Sequence, residues 1–179
     1  MFSRDVIHVD TRHRVLALDG LFCPCAIGKG GAVPATDKRE GDGATPTGEW
    51  PVRGVLLRPD RIALTDLAGP LLLPWRWIRP DDGWCDDTAD PAYNRLVHLP
   101  RPTSHERLAR DDQAYDVIVV LGHNDTPPQP GLGSAIFFHQ WVIGAEGAPN
   151  ATEGCVAIAP EPMRAILPLL RPGMVMRIG

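Results

Sequence analysis

Hydrophobic residues along this chain come in short runs, separated by polar stretches rich in Gly, Pro, Asp and Thr. Runs of this kind predict strands, because an amphipathic helix needs a longer window with a 3.6-residue period. Asp5–Asp10, with Val6, Ile7 and Val9, reads as a first strand, and Thr11-Arg12-His13 turns the chain into a second, Arg14–Leu18. Asp19-Gly20 is a two-residue hairpin signal before a third strand, Leu21–Ile27. The segment from Gly28 to Gly48 is polar and reads as a loop. Trp50–Leu57 resumes as a strand, and Ile62–Thr65 and Leu71–Ile78 are shorter strands broken by Pro. Residues 79–102 read as a long irregular stretch. Thr103–Gln113 is the clearest predicted helix, since it is free of Pro and Thr103-x-x-Glu106 fits a capping box. Asp116–Leu121 is a continuous β-branched apolar run, the mark of a central strand covered on both faces. Ala135–His139 and Cys155–Ala159 are further buried strands. Glu161–Leu167 is a short helix between Pro162 and Pro168, and Met174–Ile178 closes the chain. The pattern predicts one mainly β domain over residues 1–179, a sandwich or barrel with one or two short helices and long loops.

Composition sharpens this reading. The 179 residues include 19 Pro and 18 Gly, about a fifth of the chain against roughly an eighth in average proteins. That excess excludes a helix bundle, because each interior Pro costs a helix about 3 kcal/mol. It does not indicate disorder, since 44% of residues are hydrophobic and only 22% charged. A net charge of −4 with no basic stripe argues against a nucleic-acid binder. No apolar stretch is long enough for a membrane span, and Met1–Asp10 shows no apolar segment of the kind an export signal carries. The cysteines do not form a secreted disulfide pattern or a paired C-x-x-C zinc pattern, so a zinc site is not expected.

Candidate chemistry concentrates between Ser134 and Ala159. His139 ends the apolar run Ile136-Phe137-Phe138, which places it at the rim of a core. Cys155 follows Thr152-Glu153-Gly154 and opens another apolar run. A thiol at a Gly-containing turn, with an imidazole nearby, is a nucleophile and base pair. Gly154 would leave the amides of residues 154 and 155 free to point at a bound oxygen. Spacing alone leaves the ordinary alternative open, a half-buried Cys and His with no chemistry. Trp141 is the expected aromatic wall of a groove, and Thr152 a turn or substrate contact. His123, in the loop after the central strand, is either a second polar group beside the cysteine or a solvated loop residue.

The segment resembles the signature of the L,D-transpeptidase catalytic domain, the YkuD-type family. That signature has a His, a dozen or more residues, then Ser or Thr, a variable residue, Gly, Cys and an apolar residue. Here His139 is followed by twelve residues and then Thr152-Glu153-Gly154-Cys155-Val156. Upstream, a strand ending at Ile27-Gly28 precedes Thr45-Pro46-Thr47-Gly48-Glu49-Trp50, which is similar to the family's Thr-Pro-x-Gly turn. Two features depart from the pattern. Glu153 replaces a frequent His, and Ala157 stands where many members carry Arg or Asn. The resemblance, closest to a branch of short single-domain members, implies a β-sandwich or barrel-like catalytic fold and a monomer.

It further implies peptidoglycan stem peptides as donor and acceptor, with Cys155 as nucleophile, His139 as base and Gly154 in the oxyanion turn. His123, Thr152 and Trp141 would contact substrate. Carbapenem-type compounds would acylate the cysteine, and no metal or cofactor would be needed. The branch is associated with 1–3 rather than 3–3 cross-links. The substrate implies a periplasmic location. An L,D-carboxypeptidase or amide hydrolase using the same site, and a non-catalytic wall-binding module, are the competing expectations.

Overall fold

The computed structural model describes residues 5–179, so the first four positions of the stretch read for an export signal lie outside it. In chain order the strands are β1 (Val6–Asp10), β2 (Val15–Leu18), β3 (Leu21–Pro24), β4 (Ala32–Pro34), β5 (Thr45–Leu57), β6 (Trp75–Trp77), β7 (Asp82–Cys85), β8 (Leu96–His98), β9 (His105–Arg107), β10 (Val117–Leu121), β11 (Phe137–Gln140) and β12 (Val156–Ile158). Then come the one α-helix among the described residues, α1 (Pro160–Ile166), and β13 (Val175–Ile178). The protein is mainly β, as its hydrophobic pattern predicts.

The main sheet runs β12-β11-β10-β5-β13-β1-β2-β3, with β4 and β6 also paired to β5. Its two ends meet. Just past β3, Ala26 bridges Ala157 on β12, and Gly28 bridges Thr152. The sheet is thereby a nearly closed barrel, which leaves few free edges. The 13-residue β5 holds the two halves together, pairing β13 through its first half and β10 through its second. The barrel interior is filled by Ile7, Leu16, Leu57, Val119, Phe138, Val156 and Ile158, and is capped by Met163 and Ile166 of α1. Pro160 stands in the first turn of α1, where no intrahelical donor is required.

Five sequence expectations change. The predicted helix over Thr103–Gln113 does not form. Its central residues are β9, paired with β7 in a separate three-stranded sheet, β8-β7-β9. The would-be cap Thr103 donates its hydroxyl to Asp90 instead (2.8 Å), and Glu106 accepts the Tyr115 hydroxyl (2.6 Å). Leu108 is the one large apolar residue of that window, so a helix there would have no apolar face to bury, and tertiary pairing wins over local propensity. The Gly28–Gly48 loop contains β4, whose parallel pairing with Thr45–Thr47 starts β5 five residues before Trp50. The stretch over 79–102 is not irregular throughout, since it supplies β7 and β8. By contrast, Ile62–Thr65 forms no strand, and only Trp75–Trp77 of Leu71–Ile78 does.

Phe138 is fully buried in the barrel, whereas Leu72 is half exposed. Phe138→Ala is expected to cost about 3–5 kcal/mol in urea unfolding, and Leu72→Ala within about 0.5 kcal/mol of nothing.

Candidate active site

β11 and β12 run parallel, with Phe138 opposite Val156 and His139 opposite Ala157. Side chains alternate along a strand, so Phe138 and Val156 enter the barrel while Phe137 and Cys155 face outward. There they join a second cluster with Tyr115, Ile118 and Ala135. His139, two residues after Phe137, stands on the same outer face, with the Tyr115 ring edge-on to it at 5.3 Å. The small sheet and the loop after it cover this face. Between them lies a cleft of about 450 Å³ whose walls include Cys155, His139, Lys38, Glu106, Tyr115, Trp141 and Thr152.

The turn before Cys155 is tightly built. Thr152 Oγ1 donates to the Cys155 carbonyl (2.7 Å) and accepts the Gly154 N–H (3.2 Å). The Gly154 amide is therefore not free, contrary to the sequence expectation. Gly154 has φ +137, and a Cβ there would stand 2.8 Å from the Ala44 carbonyl oxygen, so only glycine fits. The Thr-Pro-x-Gly motif reaches the same turn from the other side. Fully buried Thr45 accepts the Gly28 N–H (2.8 Å) and donates to the Cys155 carbonyl (3.3 Å). One hydroxyl thus ties both sequence motifs to the carbonyl of the cysteine.

The thiol and the imidazole are both buried. Cys155 Sγ donates to the Ala135 carbonyl (3.2 Å) and accepts the Phe137 N–H (3.3 Å). Ala135 holds a left-handed backbone (φ +52) that non-glycine residues seldom adopt, and Asn94 Oδ1 fixes it by accepting its N–H (3.1 Å). Burial pushes the Cys155 thiol up to about 12, reinforced by Glu106 and opposed by the Phe137 amide and Lys38. Burial also lowers His139 to about 4, opposed by hydrogen bonds to backbone carbonyls. His139 Nδ1 lies 2.7 Å from the Gln140 carbonyl. A carbonyl only accepts, so Nδ1 carries the proton in the neutral ring. The resting pair is a neutral thiol and a neutral imidazole rather than an ion pair.

The other sequence candidates divide. Trp141 and Thr152 line the cleft. His123 does not; it is buried behind the wall, with its ring 4.7 Å from that of Trp50 and Nε2 3.0 Å from the Leu132 carbonyl. Ala157 is fully buried and bridged to Ala26. Glu153 pairs with Lys29 at the surface (2.8 Å). Lys38, Asn94, Glu106 and Tyr115 were not among the sequence candidates. Their positions depend on pairing across the fold, although a Lys in an otherwise open loop was a possible signal. Among the described residues, Asp81, Asp82 and His98 bring potential metal-ligand atoms within 4.8 Å of one another, but none of the three lines the cleft.

The family model for the YkuD L,D-transpeptidase catalytic domain matches residues 4–178. The chain belongs to this family. No curated protein sequence matches it significantly. Solved structures similar to this L,D-transpeptidase domain include an L,D-transpeptidase from Mycobacterium smegmatis, at 13% identity and TM-score 0.44, covering 98% of this chain and 58% of that one. L,D-transpeptidase 3 from Mycobacterium tuberculosis is similar at 12% identity and TM-score 0.45, covering 97% of this chain and 60% of that one. The same enzyme carrying a faropenem-derived adduct has TM-score 0.44 at 12% identity, with 97% and 59% covered. The chain spans about three fifths of the length of these structures.

Two outcomes are expected of this L,D-transpeptidase domain. Because His139 ionises only near 4 and Cys155 only near 12, both stay neutral between those values. For a Cys155 nucleophile served by a His139 base, the acylation rate is then expected to be flat across neutral pH, and to fall only as pH drops towards 4 and His139 gains a proton. Stopped-flow acylation across pH reads this, and an acid limb near 6.5 would contradict it. Thr45→Val keeps the shape but strands the Gly28 amide, which is expected to cost about 1–3 kcal/mol in urea unfolding and to slow acylation.

Proposed function

We propose that this protein is a cysteine-dependent acyltransferase that cross-links peptidoglycan stem peptides. The observation that carries the reading is the joint placement of Cys155 and His139 on the outer face of adjacent strands, in one cleft, within a domain of the L,D-transpeptidase family. The thiol attacks the carbonyl of an L-residue that precedes a D-residue. His139 takes the thiol proton as attack proceeds and returns it to the leaving amine. A thioester remains on Cys155 until an acceptor amine displaces it, giving the cross-link and the free thiol. The neutral resting pair suits this sequence, because the proton moves only when a carbonyl is there to take up the negative charge.

Groups in the cleft fit a peptide carrying both amines and carboxylates. Glu106 offers a carboxylate, Arg110 a guanidinium paired with Asp112, and Trp141 an apolar wall. The branch resemblance favours the 1–3 linkage, in which the attacked carbonyl belongs to the L-Ala at position one. Peptidoglycan lies outside the cytoplasmic membrane, so the protein acts in the periplasm. Among the described residues no helix is long and apolar enough to cross a membrane.

Incubation with purified muropeptides, read by mass spectrometry, tests the reading. Dimers linked 1–3 are expected, and they disappear with Cys155→Ala. Monomers shortened by a residue would instead make the protein a hydrolase, and full activity in Cys155→Ala would remove the thiol from the mechanism. A carbapenem is expected to add its mass at Cys155, as located by peptide mapping.

A further inference from the structure

Lys38 is 2% exposed, lies in the cleft wall, and has no part in the chemistry derived above. A buried ammonium is costly unless paired, and an ion pair taken out of water adds little stability of its own. Lys38 is paired with Asp42, four residues on. Asp42 does not need it to shape the loop, because its carboxylate already accepts the N–H groups of Arg39 and Ala44, each at 2.8 Å. The lysine stem passes two glycines of positive φ. A Cβ on Gly133 would stand 2.8 Å from Lys38 Cε, and one on Gly154 would stand 3.5 Å from Lys38 Nζ. The charge is thus delivered beside the residue that precedes Cys155.

We propose that Lys38 is a positioning residue of the reaction centre, whose ammonium, pinned by Asp42 beside Gly154, acts through Cys155 by stabilising negative charge on its sulfur. This rests on Cys155 being the nucleophile. Charged groups of both signs face Sγ. Glu106 on β9 and Glu153 in the turn disfavour the thiolate, and Lys38 favours it. Arg110, the other cation lining the cleft, pairs with Asp112 and acts on His139 rather than on Sγ, while Lys29 pairs with Glu153. Lys38 is paired with Asp42, so removing the carboxylate is expected to leave more of the ammonium's field on the thiolate, and removing the ammonium less.

That opposition supplies the test. Carbamidomethylation of Cys155 in the folded, full-length chain by iodoacetamide is followed by peptide mapping at about pH 7.5, for wild type, Lys38→Met, Lys38→Arg and Asp42→Asn. The reagent consumes thiolate, so its rate follows the thiolate fraction. Lys38→Met is expected to slow alkylation about tenfold, equivalent to one pKa unit. Lys38→Arg retains the rate within about threefold, and Asp42→Asn raises it several-fold. Packing damage would move Lys38→Met and Asp42→Asn in the same direction, and that result, or an unchanged rate in Lys38→Met, overturns the proposal. If Lys38→Met unfolds, Asp42→Asn alone decides, since a slower or equal rate refutes it. The readout needs no stem peptide. A wild type inert on muropeptides but showing this order of rates would refute the cross-linking function and leave the role of Lys38 standing.

Discussion

One hydroxyl group organises this protein. Thr45 Oγ1 lies between the Gly28 amide and the Cys155 carbonyl, and three segments far apart in sequence converge on it. Without that bridge the Gly28 strand end would have a buried donor with no partner. The turn carrying the thiol would also lose one of the two hydroxyls that hold its carbonyl, the other being that of Thr152. The closure of the barrel depends on the same region. Ala26–Ala157 and Gly28–Thr152 are the points where the first and last strands of the sheet meet, and Cys155 is placed at that seam. The site is therefore a consequence of closing the sheet, with the catalytic turn serving also as a structural joint.

The alternation of side chains then does the sorting. One face of β11 and β12 fills the barrel with Phe138, Val156 and Ile158. The other carries Phe137, His139 and Cys155 beneath the small sheet. A register slip of one residue on either strand would bury the reactive groups in the wrong layer. Because one face is packed with large apolar side chains, that slip is heavily penalised. Stability and reactivity are linked through this single register.

Much of this was legible in the sequence, and the reasons differ by element. The β10, β11 and β12 runs are apolar and β-branched or aromatic, so their burial can be read directly. The Cys and His were legible because a Gly-Cys turn and a strand-ending His are local patterns. The Thr103–Gln113 helix failed because a capping box is also local, whereas the pairing of Gly83 with Arg107 and the Tyr115–Glu106 hydrogen bond are not. His123 illustrates the same limit. It follows the central strand onto the expected rim, yet Gly133 and the loop before β11 lie between it and the cleft, and Trp50 takes its ring. The free oxyanion amide expected at residue 154 was overridden by the neighbouring Thr152 hydroxyl, a side-chain hydrogen bond across two residues.

The buried, protonated state of Cys155 has a consequence for chemical durability. Peroxide and disulfide oxidants attack thiolates far faster than thiols, and exposed sulfur faster than buried. A sulfur that rests as a buried thiol between two backbone groups offers oxidants little to attack. The other three cysteines are likewise buried and free. The fold thus shields its sulfurs by burial rather than by pairing them with one another.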